Sequence, residues 1–188
     1  MDPLELRLKN AAKEGTKLAY GPVLPRMGYV ESLEAALAHD HYKARLGPNQ
    51  GRGVGSGYWF NTAGESSATV QVTEDGNVVV VTGHPDIGGS RASMANICAE
   101  LLGIHYSKVK ALIGDTDQLP FSQLTGGSRV TFAAGMVVTE ATRKVIKTLR
   151  ERAAKIWNID VEAVEWENGE ARPVSTNAGQ FEPLTLAE

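Results

Sequence analysis

The chain has 188 residues, a formal net charge of −3 and a hydrophobic content of 42%, which are typical of a globular protein. With no basic stripe along the sequence, the charge balance excludes a typical nucleic-acid-binding protein. No apolar run approaches the roughly 20 residues of a membrane span, and the single Cys98 suits a reducing compartment, so we expect a soluble, cytoplasmic protein.

Residues 1–50 are predicted to form an N-terminal helical lead-in. Asp2 is a favourable N-cap and Pro3 suits the first position of a helix, so a helix is expected to begin at once. A stripe of apolar residues at helical spacing predicts a second helix. The two helices and the loop after them are expected over residues 2–14, 30–39 and 41–50.

Residues 51–188 mix strands, hairpins and helices. Ala68, Val70 and Val72 alternate with polar residues, which is the pattern of a half-buried strand. Gly103 is expected to end a helix in the left-handed conformation. Strands are expected over residues 58–60, 67–73, 78–82, 109–113, 161–166 and 170–174, and helices over 88–102 and 131–157. Because regular β-α-β alternation is missing, the predicted class is α+β.

Both ends of the sequence favour a fragment of a longer polypeptide. The first helix is expected to begin at the second residue, and residues 183–188 resemble the first turn of a helix that does not continue. The segment 51–188 is therefore expected to be one α+β part of a larger domain, truncated at its C-terminus.

A glycine-rich run, Gly51-Arg52-Gly53-Val54-Gly55-Ser56-Gly57, superficially resembles a dinucleotide-binding fingerprint. That fingerprint needs a strand before the glycines and a helix after them. Here an aromatic segment that reads as a strand follows instead. Close packing of a glycine-rich backbone against its neighbours is the preferred interpretation.

Two turns with the same Gly-Gly-Ser-Arg core are the most informative feature of the sequence. The first ends in Gly88-Gly89-Ser90-Arg91 and the second in Gly126-Gly127-Ser128-Arg129, and a helix is predicted after each. A helix N-terminus carries unpaired N–H groups and positive partial charge, and glycine lets an anion approach its backbone. The two turns therefore predict a shared ligand with a phosphate or another anionic group.

Helix capping is the alternative interpretation of these turns. Ser90, and either Ser128 or Thr131, could be N-caps, with the glycines only forming the turn. The repeated arginine favours a functional site, because a guanidinium donates two parallel hydrogen bonds to phosphate oxygens.

The sequence predicts neither a metal site nor a catalytic residue. The four histidines have no metal-ligand spacing with one another or with Cys98, which is expected to be a core residue. No nucleophile elbow lies between a strand and a helix, and no carboxylate pair has a defined geometry. Taken alone, the sequence therefore predicts anion-binding turns without an evident acid, base or nucleophile.

In its motifs, the chain resembles the large, molybdopterin-binding subunit of the xanthine dehydrogenase/aldehyde oxidase family, the molybdenum hydroxylases. The similarity covers most of residues 2–145. Its motifs are Asp2-Pro3-Leu4-Glu5-Leu6-Arg7-Leu8-Lys9-Asn10, Gly51-Arg52-Gly53-Val54, Asp86-Ile87-Gly88, Ala99-Glu100-Leu101-Leu102-Gly103-Ile104, Gly114-Asp115-Thr116-Asp117 and Gly126-Gly127-Ser128-Arg129.

This resemblance implies molybdopterin as the cofactor, with its cytosine dinucleotide form left open, and hydroxylation of aldehydes or N-heterocycles or oxidation of carbon monoxide. It also implies association with the rest of the large subunit and with iron–sulfur and FAD subunits or domains. The implied cofactor-binding residues are Gly88, Gly89, Ser90 and Arg91 in the first turn and Gly127, Ser128, Arg129 and Thr131 in the second.

Two departures from the family pattern bear on activity. Gly89 stands where the family commonly has a glutamine that reaches towards the metal, and the family's catalytic glutamate motif has no counterpart in the chain. The fragment alone is therefore expected to be inactive, with no catalytic residue of its own. A non-catalytic pterin-binding, anion-binding or assembly module on the same fold is the alternative.

Overall fold

The computed structural model describes residues 1–59, 63–117, 119 and 121–188, and these form two compact units, Met1–Tyr58 and Trp59–Glu188. Helices and small sheets are both present, which confirms the predicted α+β class. In the described part of the chain, no helix is both long enough and apolar enough to cross a membrane.

The first unit contains helices α1 (Pro3–Asn10), α2 (Tyr29–Ala38) and α3 (Asp40–Lys43). Asp2 is the N-cap of α1, as predicted, and its Oδ1 accepts hydrogen bonds from the backbone of Leu4 and Glu5. Its Oδ2 accepts a hydrogen bond of 2.6 Å from the Tyr42 hydroxyl, which lowers the pKa of Asp2. α1 ends four residues earlier than predicted, and α3 occupies part of the predicted loop.

The glycine run of residues 51–57 is neither a strand nor a helix. Arg7 bonds to Val54 O at 2.9 Å and to Ser56 Oγ at 3.2 Å, which ties the run to α1. The prediction of close backbone packing is wrong, because no atom lies within 4 Å of a Cβ built on any of the run's four glycines. Tyr58 and Trp59 are exposed and outside any strand, and Phe60 lies outside the described residues.

The second unit is built on a three-stranded sheet in the order β1-β2-β3, with β1 (Ala68–Val72), β2 (Val78–Thr82) and β3 (Val109–Ile113). β2 and β3 have the predicted bounds, and β1 is one residue shorter at each end than the predicted 67–73. β1 and β2 form an antiparallel hairpin, whereas β2 and β3 are parallel and joined through helix α4 (Ser90–Leu102). The chain therefore contains one β-α-β unit within an otherwise mixed arrangement.

Helices α4 and α5 (Gly135–Trp157) cover one face of this sheet. They contact each other, with α5 over β1 and α4 mainly over β3. Val78 and Val80 of β2 are fully buried beneath them together with Cys98, which confirms that the cysteine is a core residue. Its thiol accepts a hydrogen bond from Thr142 Oγ1 at 3.5 Å, and burial raises its pKa.

A second antiparallel sheet follows in the order β4-β5-β6, formed by β4 (Val164–Glu167), β5 (Glu170–Pro173) and β6 (Leu184–Thr185). The hairpin turn at Asn168-Gly169 is as predicted. The expectation of a helix start at residues 183–188 is wrong. Leu184 pairs with Ala171 of β5 instead, so sheet pairing outweighs the local helix pattern.

Gly103 ends α4 in the left-handed conformation, as predicted, with a φ of +70°. A Cβ built on it would lie 2.8 Å from the Cα of Asn168, in the turn of the β4–β5 hairpin. The close approach lets Trp166 Nε1 donate to Leu102 O at 2.9 Å. Gly103 is therefore the contact point between the end of α4 and the second sheet.

Gly103→Ala is expected to destabilise the protein by more than about 2 kcal/mol, because the left-handed conformation and a backbone clash both oppose the methyl group. Gly179→Ala is the matched control, since Gly179 has a φ of +76° but no atom within 4 Å of its Cβ position. The control should lose only about 1 kcal/mol. Equal losses in urea unfolding would contradict the packing argument.

Candidate functional site

Both Gly-Gly-Ser-Arg turns lie at the carboxyl ends of the parallel strands. The first follows β2 and opens α4, and the second ends the long loop that follows β3 and opens α5. In sheets with parallel strands this edge is where ligands most often bind, because the loops diverge there and helix N-termini point towards the gap. The fold thus brings the two turns to one edge of the sheet.

The first turn leaves open space above its glycines. Gly88 and Gly89 have φ values of +67° and +81°, both are exposed, and no atom lies within 4 Å of a Cβ built on either. A ligand could therefore contact their backbone directly. Gly89 is the N-cap of α4, so the predicted capping by Ser90 is wrong. The buried Ser90 hydroxyl instead lies 3.4 Å from Pro85 O and from Asp86 Oδ1.

Asp86 already places a negative charge at the start of α4. Its Oδ1 accepts from the Arg91 backbone N–H at 3.1 Å, and its Oδ2 pairs with Arg91 Nε at 3.0 Å. These two contacts lower the pKa of Asp86, the backbone bond more than the side-chain bond. The Arg91 side chain is 53% exposed, so it can turn from this pair towards an incoming ligand.

The second turn is organised differently, because its arginine is buried. Arg129 is 1% exposed, and each of its five N–H groups has a protein acceptor. Ala63 O, Glu65 O and Ser66 Oγ accept on the segment before β1, at 3.3, 2.9 and 2.9 Å. Gln123 O and Leu124 O accept on the loop after β3, at 3.0 and 3.1 Å. The guanidinium thus joins two segments of the site and directs no remaining donor to a ligand.

Residues around Arg129 face outward. Gly127 is half-buried with a φ of +63°, and Ser128 is exposed in the left-handed conformation at φ +54°. Val130–Ala134 form a π-helical turn that continues into α5, so the helix opens with a wider turn than predicted. Thr131 lies in this turn with an exposed side chain, and no side chain caps the helix. The capping interpretation of Ser128 and Thr131 is therefore wrong.

His84 joins the two turns, and the sequence analysis did not identify it. It lies just before the first turn, is 3% exposed, and its Nε2 is 3.1 Å from Ser66 Oγ, which also accepts from Arg129. Burial, and to a smaller extent the charge of Arg129, lowers the pKa of His84. The only local indication in the sequence is its position between Gly83 and Pro85, directly before the glycine turn.

Two buried side-chain polar atoms of the described residues have no hydrogen-bond partner: His84 Nδ1 and Thr125 Oγ1. One lies beside each turn, since His84 precedes the first and Thr125 directly precedes Gly126. Such atoms are uncommon in folded proteins because desolvation without a partner is costly. Both unpartnered atoms therefore lie next to the glycine turns.

Large apolar side chains are exposed around the same two turns. Ile87 is 64% exposed beside the first turn, and Leu124 is 75% exposed beside the second. Phe121, Phe132 and Met136 on the same loop and helix start are also exposed. Across residues 1–59, 63–117, 119 and 121–188, no three His, Cys, Asp or Glu side chains are grouped to hold a metal ion.

The two arginines of the repeated motif should differ sharply in their effect on stability. Arg129→Met removes five hydrogen bonds of a buried side chain and leaves Ala63 O, Gln123 O and Leu124 O without their guanidinium donor, so we expect a loss of about 3 kcal/mol or more. Arg91→Met, the matched control in the first turn, removes an exposed ion pair and should have a much smaller effect. Chemical unfolding measures both, and similar losses would contradict the clamping role of Arg129.

The lowered pKa of His84 predicts that stability falls on acidification. The folded state favours the neutral ring, so its contribution is fully present above the ordinary pKa of 6.5 and is lost as pH falls through the folded-state pKa. His84→Gln should flatten the decline in melting temperature below pH 6.5, whereas His105→Gln, at an exposed position, should not. An unchanged pH dependence in His84→Gln would refute this.

The sequence model of the molybdopterin cofactor-binding domain family matches residues 31–187, which is most of the chain. The chain is 28% identical over 159 residues to the xanthine dehydrogenase molybdenum-binding subunit of Escherichia coli O157:H7, covering 75% of this chain and 21% of that protein. It is 32% identical over 120 residues to the aldehyde oxidoreductase molybdenum-binding subunit of Escherichia coli K12, covering 63% and 16%.

Among solved structures, reconstituted CO dehydrogenase from Oligotropha carboxidovorans superposes with a TM-score of 0.59 at 27% identity, covering 69% of this chain and 15% of that one. The chain thus spans about a fifth, or less, of the proteins that it matches. With the family match extending from α2 to the last strand, the chain belongs to the molybdopterin cofactor-binding domain family.

Proposed function

We propose that the chain is the molybdopterin-binding segment of a larger molybdenum-dependent oxidoreductase. The observation that carries the proposal is the pair of glycine turns at the carboxyl ends of β2 and β3, each with an unpartnered buried polar atom beside it. Together they offer open backbone, positive helix ends and spare hydrogen-bonding capacity to one anionic ligand.

The first turn binds through backbone and a mobile cation. Gly88 and Gly89 let the ligand approach the backbone closely, and Ser90 sits directly beside them at the start of α4. Arg91 exchanges its pair with Asp86 for the ligand's anionic group, which the exposure of its side chain permits. Because Asp86 repels an anion, this exchange favours ligands whose charge is strong enough to compete for the guanidinium.

The second turn binds through groups that Arg129 holds in place. Gly127, Ser128 and Thr131 face outward and contact the ligand, while Arg129 acts as a positioning residue. The positive charge of Arg129 contributes to the local potential even though all its N–H groups bond to the protein. Thr125 Oγ1 and His84 Nδ1 supply the remaining hydrogen bonds.

Bound at these turns, molybdopterin would supply the redox-active molybdenum centre. The chain's own part is to hold the pterin and its phosphate, to orient them and to exclude water from the edge of the sheet. We assign no general base to this chain and infer that one comes from polypeptide outside it. The cytosine dinucleotide form would extend the anionic surface that the second turn contacts.

The names of three relatives, xanthine dehydrogenase, aldehyde oxidoreductase and carbon monoxide dehydrogenase, support the proposed substrate class. We infer that the complete protein hydroxylates an aldehyde or an N-heterocycle, or oxidises carbon monoxide. Iron–sulfur and FAD groups in partner subunits or domains would carry the electrons onward. Cys98 is the one cysteine of the sequence and is buried, so a cluster held by several cysteines would have its ligands outside this chain. A reducing cytoplasm suits a free thiol of this kind.

Molybdenum and pterin content of the full-length protein tests the proposal directly. Purified from a host that makes the cofactor, it should contain about one molybdenum and one pterin per chain, measured by elemental analysis and by fluorescence of the oxidised pterin. A well-folded protein that contains neither would favour a non-catalytic anion-binding or assembly module.

Thr125→Val separates binding from folding at the second turn. The substitution removes a hydroxyl that has no partner within the protein, so the ligand-free stability should stay the same or rise by up to about 1 kcal/mol. Molybdopterin content of the purified full-length protein should fall at the same time. Thr176→Val, at an exposed position outside both turns, is the control and should retain the cofactor. Full retention in Thr125→Val would exclude the contact.

A further inference from the structure

The outer edge of β1 carries backbone groups that pair with nothing in the described part of the chain. Thr73 N donates to Asn77 O at 2.9 Å, so by alternation Gln71 and Thr69 bond to β2. The N–H and C=O groups of Ala68, Val70 and Val72 then point away from β2. The bond from Gly114 N to Thr82 O, the residue opposite Ala68, agrees with this alternation.

A groove of about 660 Å³ runs along this edge beneath α5. One side is formed by α5 and the other by β1. The lining residues of α5 are an apolar row at four-residue spacing, Val137, Ala141, Val145 and Leu149, and the neighbouring polar residues Glu140, Lys144 and Thr148. Four-residue spacing places these side chains on one face of the helix. The groove is thus bounded by an apolar helix stripe and by the free hydrogen-bonding edge of a strand.

The width of the two layers explains the groove. Helices pack about 8–10 Å apart, so α4 and α5 side by side cover roughly 18–20 Å. Strands lie about 4.8 Å apart, so three strands cover about 14 Å and four cover about 19 Å. The helix layer is therefore wider than the sheet by about the width of one strand. We place this excess on the side where α5 lies over β1.

We propose that a fourth strand pairs with the free edge of β1 and fills the groove beneath α5. The strand has apolar residues at alternate positions that face the α5 stripe, and polar residues on the opposite face, where Thr69 and Gln71 are exposed. Its source is polypeptide outside residues 1–188, because the relatives are roughly five times longer than the region they share with this chain.

The same width argument excludes a second copy of the chain as the occupant. Pairing of β1 with β1 of another copy would place four helices, about 36–40 Å wide, over six strands that span only about 29 Å. The α5 helices of the two copies would then compete for the same space. A single extended strand is the occupant that matches both the groove and the helix layer.

The proposal rests on the proposed function only in treating the chain as part of a longer protein. Hydrogen exchange of the full-length protein tests it. The Val70 and Val72 amides should exchange at least about 100-fold more slowly than expected for a free edge, and comparably to the Gln71 amide. Free-edge exchange at both amides would overturn the proposal. Protection that depends on protein concentration and accompanies dimerisation would also overturn it.

A proline substitution provides the independent test. Val70→Pro and Val70→Ala remove similar packing, but only Val70→Pro removes the backbone N–H that points away from β2. If the edge is free, this N–H faces solvent and its loss is tolerated. In the full-length protein Val70→Pro should melt several degrees below Val70→Ala. Gln71→Pro removes the backbone bond to β2, so its melting temperature shows the size of the effect when a strand-pairing hydrogen bond is lost. Equal melting of the two Val70 variants would contradict the fourth strand. Molybdenum content, measured separately, distinguishes this failure from failure of the proposed function.

Discussion

The geometry of the site depends on one buried guanidinium. Arg129 donates to the segment before β1 and to the loop after β3, two parts of the chain that a backbone hydrogen bond from Gln123 N to Glu65 O also joins. A buried cation without a carboxylate partner is stable only if all of its donors are satisfied, and five acceptors meet this requirement here. Ser66 extends the network to His84, so both glycine turns are fixed relative to the same charge.

The two turns show how identical sequence can serve different purposes. Arg91 is exposed and pairs with a carboxylate in its own turn, whereas Arg129 is buried and bonds to main-chain carbonyls far away in sequence. Local pattern predicts the turn and the helix that follows, since both depend on neighbouring residues. It does not predict which arginine becomes buried, because burial depends on what the rest of the fold places above each turn.

The same distinction separates the other successes and errors of the sequence analysis. β2 and β3 have the predicted bounds and β1 lies within its predicted range, because alternation and a turn define these strands locally. Residues 183–188 have the local pattern of a helix start, but Leu184–Thr185 form a strand because they pair with β5. The local sequence does not indicate that pairing. No recognisable sequence motif includes His84. Its importance arises from its position beside Ser66 and Arg129, which are 18 and 45 positions away in the sequence. The site residues themselves stay predictions that cofactor analysis must test.

The long reach of Arg129 has a consequence for biosynthesis. Its acceptors Ala63, Glu65 and Ser66 are 63 to 66 residues earlier in the chain. During translation the hairpin of β1 and β2 and the helix α4 emerge before residue 129, so they can associate while the loop around the future site is still open. The hydrogen bonds of Arg129 to this earlier segment can form only after the second turn has left the ribosome. The hydrogen-bond network of Arg129 therefore forms late in synthesis, and a chain interrupted before residue 129 lacks it.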